Sequence, residues 1–207
     1  MADLDINSFN NLIKSQKISR SSYVINMIAE KIDNNQYLKR LLKYLTYNPL
    51  AKKSFDLDGN EVKQPNISES LIKKIDNKKN IYLRGFNNSM KLEEQCYIFV
   101  SNPSNLYYDE HGYMYFEVNV TVPNRYSIIV DSNNIEVERH KMIASLIDDM
   151  FDGWRVDEKK YSDIIGNIEF RLTKCEEDRV NTTDDNIRLS LIYRTTIRTN
   201  RCQSHDR

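Results

Sequence analysis

Two aliphatic stripes at helical spacing open the chain, and period-two alternation dominates from Ile81 onward. Ile25, Ile28, Ala29 and Ile32 fall at i, i+3, i+4 and i+7, which predicts a helix from Ser21 to the turn Asp33-Asn34-Asn35. Leu38, Leu41, Leu42 and Leu45 repeat the spacing and predict a second helix, Gln36 to Tyr47, with Lys39, Arg40 and Lys43 on its outer face and Asn48-Pro49 as its stop. The two form a helical hairpin whose leucine stripe must bury against something else. The polar stretch from Lys52 to Asn66 contains a turn at Asp58-Gly59-Asn60, and Ser68 or Ser70 is placed to cap a short helix holding Leu71, Ile72 and Ile75.

Beyond Asn80 the pattern changes to strands. Ile81–Phe86 reads as a strand ending at Gly85, and in Gln95–Ser101 the residues Cys96, Ile98 and Val100 alternate with Tyr97 and Phe99. Phe116, Val118, Val120 and Val122 alternate with Glu117, Asn119 and Thr121, the signature of a strand with one wet face. Tyr126–Val130 continues as strand after Pro123-Asn124. A helix over Asn134–Asp152 comes next, with Ile143, Leu146, Ile147 and Met150 as its stripe, Arg139, Lys141, Asp148 and Asp149 off it, Asn133 or Asn134 as cap and Gly153 as the left-handed terminator. Ile168–Lys174 and Ile187–Arg198 complete the strands, separated by Cys175–Asn186, a charged loop or the tip of a long hairpin. Sequential half-wet strands predict an α+β fold: a mostly antiparallel sheet with a long helix packed on one face, plus the N-terminal helical hairpin. The organisation expected is an N-terminal arm over 1–20, one α+β domain over 21–198 (a helical part, 21–80, and a sheet-and-helix part, 81–198), and a flexible tail over 199–207.

Charge changes this picture in one respect. The 207 residues carry 30 Lys+Arg and 30 Asp+Glu, a net charge of zero, which argues against a dedicated DNA-binding module. Cys96, Cys175 and Cys202 are odd in number, distant and in no CxxC pair, so neither a disulfide framework nor a zinc site is expected. The first residues, MADLDINSFNNLIKSQ, include no apolar run of signal-peptide length, and no segment approaches the roughly 20 apolar residues of a membrane span. The expectation is a soluble chain with no membrane partner.

Candidate chemistry is sparse. The five glycines are isolated and complete neither GxxxxGK[ST] nor GxGxxG, and no GxSxG elbow occurs. His140 with Glu138 or Glu136 suggests a metal or acid/base pair, but without HExxH the histidine reads as structural. Asp148, Asp149 and Asp152 read as a solvated helix end, because no EF-hand glycine and glutamate succeed them at the required offsets. The expectation is therefore no catalysis, no cofactor and no metal. Two features point to protein surfaces instead: the tyrosines Tyr107, Tyr108 and Tyr113 around a turn, and an arginine row of Arg188, Arg194 and Arg198 with Arg171 on the preceding strand. These seven are the candidate assembly interface.

The stretch from Ser22 to Arg198 resembles the tail-terminator or tail-completion proteins of tailed bacteriophages. The resemblance rests on SSYVINMIAEKI, then YFEVNVTV, then VERHKMIASLIDDMFDGW with its terminal glycine, then GNIEFRLTK and IRLSLIYRTTIR. The second helix and the polar segment to Asn80 depart from the family pattern. The resemblance implies a ring-forming virion protein at the head-tail junction, either tail terminator or neck connector, assembled in the host cytoplasm. Its partners would be further copies of itself, as a hexamer or dodecamer, other neck, portal or tail proteins, and passing DNA without sequence specificity. The alternative is a small cytosolic enzyme or regulator using His140 and neighbouring acids.

Overall fold

The computed structural model describes residues 17–72, 79–83, 94–103, 113–131, 133–156, 168–178 and 185–196. Helices α1 (Lys17–Asp33) and α2 (Gln36–Lys43) lead into a hairpin of β1 (Lys53–Phe55) and β2 (Glu61–Lys63). Strands β3 (Ile81–Tyr82), β4 (Tyr97–Ser101) and β5 (Tyr113–Pro123) come next, then a ribbon of β6 (Ile128–Val130) and β7 (Glu136–Glu138). Helix α3 (Arg139–Phe151) and strands β8 (Phe170–Asp178) and β9 (Asn186–Thr196) complete the described elements.

The main sheet has the order β3-β4-β5-β9-β8 and is antiparallel except for the parallel β3–β4 pair. The chain is thus mixed α+β, as its patterning predicts. Phe116, Val118 and Val120 of β5 stand opposite Tyr193, Leu191 and Leu189 of β9, and these rows join Ile143 and Ile147 of α3, Ile28 and Ile32 of α1 and Leu38, Leu41 and Leu42 of α2 in one buried apolar cluster. Ala29, fully buried on α1, has the small side chain that a close neighbour requires. Among the described residues, no helix is long and apolar enough to cross a membrane.

Several boundaries differ from the sequence pattern, each for a local reason. Helix α1 begins at Lys17, inside the stretch expected to be an arm. Helix α2 is capped by Asn35, whose Oδ1 accepts the N–H groups of Tyr37 and Leu38, and it ends at Lys43 rather than Tyr47. Tyr44 turns extended there, and the exit carbonyls find partners outside the helix: Arg139 donates to those of Leu41, Tyr44 and Thr46, and Asn80 Nδ2 to that of Leu42. Lys39 and Arg40, expected on the outer face, are buried. Arg40 donates to the carbonyls of Pro49 and Ala51, and Lys39 Nζ reaches the Glu69 carbonyl at 2.6 Å and stands 3.5 Å from Asp33. These two cations hold the polar segment that succeeds the helix.

The Asp58-Gly59-Asn60 turn forms as expected. Gly59 has φ +84°, and Asp56 Oδ1 accepts from the backbone of Asp58 and Asn60. The short helix around Leu71 does not form up to Ile72: the Ser70 hydroxyl accepts from Ile72 N–H, and Ile72 bridges to Ile81, while Ile75 lies outside the described residues. The third helix is shorter than the 134–152 stretch. Asn134 adopts φ 60°, Asp131 Oδ1 accepts from the backbone of Asn133 and Ile135, and Glu136–Glu138 pair with β6. The helix therefore starts at Arg139, with Glu138 as an extended cap residue. Gly153, at φ +73°, lies just past its C-terminus as anticipated.

Candidate functional site

The two faces of the sheet present different chemistry. The face under the helices is apolar, and the other carries a buried aromatic cluster, Tyr82, Tyr97 and Phe99, at one end and arginines at the other. Tyr82 stacks on Phe99 with centroids 5.0 Å apart. At the β8 end, Arg171 stands directly opposite Arg194, and Arg188 opposite both Thr121 and Asp178. Arg171 pairs with Glu169, while the Arg194 guanidinium lies 5.1 Å from the centroid of the Tyr113 ring, a cation–π contact. The structure thus brings Tyr113, Arg171, Arg188 and Arg194 to one face. Tyr107, Tyr108 and Arg198 lie outside the described residues.

Strand β8 is where the sequence pattern misleads most. Residues 175–178, expected to open a loop, continue the strand, and a register shift between Leu172 and Lys174 inserts one extra residue. Before the shift, Phe170 and Leu172 oppose Thr195 and Tyr193. After it, Cys175 and Glu177 oppose Leu191 and Leu189. The bulge therefore turns the odd-numbered Cys175 and Glu177 toward the helix-covered face, where the even-numbered positions would otherwise point.

That rotation builds a second cluster. Glu138 occupies the position before α3 without a side-chain capping bond, His140 lies in the helix's first turn, and Glu177 approaches from β8. His140 Nε2 is 3.7 Å from Oε2 of each glutamate, and one ligand atom from each of the three residues lies within 4.8 Å of the others. The histidine is fully buried, and neither ring nitrogen has a hydrogen-bond partner among the described residues. Burial lowers its pKa, partly offset by Glu177 and Glu138, so the ring is neutral near pH 7. Lys141 Nζ pairs with Glu138 and stands 3.8 Å from Glu177, and its contact holds the Glu138 carboxyl below the usual range. The sequence pattern singles out Glu138 and His140 but offers Glu136 as an alternative; both glutamates lie on β7, and it is Glu138, at its end, that joins the cluster. Glu177 escapes it, because no local pattern marks the bulge that positions this residue.

The remaining candidates have structural partners. Tyr193 donates its hydroxyl to Asp148 Oδ1 at 3.2 Å, and Asp152 Oδ1 accepts from Leu172 N–H at 3.1 Å, so these acids secure the end of α3 to the sheet while Asp149 stays exposed. Burial raises the pKa of Asp148. Burial also pushes the Cys96 thiol up to about 11; partial burial, then Asp148 and Glu177, raise that of exposed Cys175. Neither thiol is activated as a nucleophile.

The family described as YomW matches residues 35–195, which takes in α2, the whole sheet and α3. No curated protein and no solved structure matches the chain.

Proposed function

The chain belongs to the YomW family, which is associated with phage genomes, and from that membership we propose that it is a structural subunit of the phage particle that assembles side by side into a ring at the head-tail junction. The observation that carries the reading is the β8 edge. Among the described residues Gly153, Trp154 and Asp152 take up the outer backbone groups of Phe170 and Leu172, but from Lys174 to Asp178 the strand has its ladder partner, β9, on one side only, and Lys174, Glu176 and Glu177 crowd that stretch with both signs of charge. An open stretch of edge invites another chain, and mixed charge restricts which chain and which register. Beside it, Arg171 and Arg194 stand opposite each other; Glu169 already pairs with Arg171, while the exposed Arg194 guanidinium rests on the Tyr113 ring, where a neighbour's acid could reach it. The main-sheet elements also support the reading: with α2, the β1–β2 hairpin and the β6–β7 ribbon as additions, a leading helix, strands ending at β5, a helix across the sheet and two closing strands is the order that the tail-completion resemblance implies.

In this account the work is geometric. The apolar cluster fixes the sheet, the sheet fixes β8 and its arginine face, and copies meet through that edge in a closed heterologous interface. Mass spectrometry of purified particles, with light scattering on the full-length protein, tests it. The expected results are peptides at a stoichiometry of several copies per particle and a solution mass that is a multiple of 24.5 kDa. Exchanging Arg171 and Arg194 for Glu should leave the fold intact and lower the assembled mass. Absence from the particles, or an unchanged assembly in that double variant, would sink the reading.

A further inference from the structure

We infer that Glu138, His140 and Glu177 form a binding site for one divalent transition-metal ion, zinc in preference to manganese, that ties the start of α3 to the β8 edge. Three observations meet here. Two carboxylates and an imidazole converge from two elements, with His140 Nε2 3.7 Å from each carboxylate oxygen. Tetrahedral coordination at about 2.0–2.2 Å separates ligand atoms by about 3.3–3.6 Å, so the imidazole-to-carboxylate distances need shifts of only a few tenths of an ångström, and the two carboxylates, within 4.8 Å, must close by at most about 1.2–1.5 Å. Second, a histidine with no exposed surface and no hydrogen-bond partner for either nitrogen among the described residues is expensive to keep, and its Nε2 stands equally far, 3.7 Å, from the two carboxylates. Third, a cation already occupies the neighbourhood: Lys141 Nζ contacts Glu138 and approaches Glu177 to 3.8 Å.

The Lys141 side chain is half exposed, so it can swing into solvent when an ion takes its place. One imidazole with two carboxylates is a mixed donor set that accepts zinc or manganese, and the Irving–Williams order places zinc first. Three protein ligands leave a fourth tetrahedral position for water. All three ligands come from one chain, so the site is complete in a monomer as in a ring.

Calorimetric titration of ZnCl2, and separately MnCl2, into chelator-washed full-length protein tests the site. Because His140 is fully buried, its substitution would perturb folding as well as binding, so the carboxylates at the surface are changed instead. Wild-type protein should take up one ion per chain, with Glu138→Gln and Glu177→Gln each weakening it by about tenfold or more. Lys141→Met, which removes the competing ammonium, should tighten binding by about two- to fivefold, an effect that a merely structural cluster would not produce. Cys175→Ser should bind as wild type does. Failure of wild-type protein to saturate at one ion per chain, or unchanged affinity in Glu177→Gln, overturns the assignment. So does loss of binding in Cys175→Ser with retention in Glu177→Gln, which would place the ion on the thiol.

Discussion

Arg139 is the residue whose removal should cost most for its position in the sequence. It is fully buried and lies against the Cys96 thiol, and four backbone carbonyls accept from it: Nε donates to Tyr126 at 2.8 Å, Nη1 to Leu41 at 2.9 Å and to Tyr44 at 2.8 Å, and Nη2 to Thr46 at 2.8 Å. Burial lowers its pKa, but the exit of α2 presents the negative end of a helix dipole, which compensates part of the lost hydration. Arg139→Met keeps much of the volume and removes the charge, yet strands four carbonyls. At about 1–1.5 kcal/mol each the loss is about 4–6 kcal/mol, reduced by about 1–2 kcal/mol because no charge need be desolvated, for a net of about 3–4 kcal/mol. With a urea m-value of about 2–3 kcal/mol/M, the unfolding midpoint should fall by about 1–2 M. Arg139→Lys should be no milder, because it retains the buried charge and cannot span the four carbonyls. Equilibrium urea unfolding followed by circular dichroism measures both. A loss under about 1 kcal/mol in Arg139→Met, or a lysine variant close to wild type, would refute this accounting of the guanidinium.

Four further outcomes rest on the same geometry. His140 is buried neutral with a pKa below 6.5, whereas in the unfolded chain it protonates near 6.5; below that pH the unfolded state binds more protons, so stability should rise with pH through the window just under 6.5. Glu138, also held low, adds its own loss only below about 4.5, and urea midpoints at pH 5.5 and 7.5 that coincide would contradict the histidine argument. Gly153→Ala meets no atom within 4 Å of the new Cβ, so its cost is the φ of +73° alone, about 1 kcal/mol and a melting temperature lower by about 2–4 °C. Phe151, fully enclosed and in ring contact with Trp154, Phe170 and Tyr193, should lose about 3–5 kcal/mol as alanine, read by the same unfolding assay. Cys96 should resist thiol reagents in the native protein and label only on unfolding, which peptide-level mass spectrometry would show.

The apolar rows were legible because they repeat at the period of their element. Ile28, Ala29 and Ile32, Leu38, Leu41 and Leu42, and Phe116, Val118 and Val120 are buried where the pattern places them. Polar residues were not legible, because helical spacing assigns a charged side chain to the solvent and cannot see a carbonyl coming from elsewhere. Arg40, Lys39 and Arg139 are all buried against main-chain oxygens from distant segments, and this tertiary bonding is also what ends α2 early. The start of α3 was misplaced for a related reason. Asn134 reads as a helix cap, but in its left-handed conformation it serves a turn that sends Glu136–Glu138 back along β6.

The candidate metal site shows the same limit more sharply. Glu138 and His140 sit two residues apart and are visible as a pair, but the third ligand arrives from β8 only because one residue is inserted between Leu172 and Lys174. Without that insertion Glu176 would stand opposite Leu189 in place of Glu177, so plain alternation along the strand picks the wrong carboxylate. Adjacent positions at the start of α3 thus serve opposite sides of the molecule: Arg139 reaches back to the exit of α2, and His140 faces the β8 edge. An ion held by Glu138, His140 and Glu177 would make this junction rigid and extend its hold to the strand proposed to meet the next subunit. Ion binding and assembly should then be linked: if both occur, zinc should raise the assembled fraction of wild-type protein and have no effect on Glu177→Gln. Zinc-independent assembly by both proteins would separate the metal site from the edge contact, leaving each to stand on its own test.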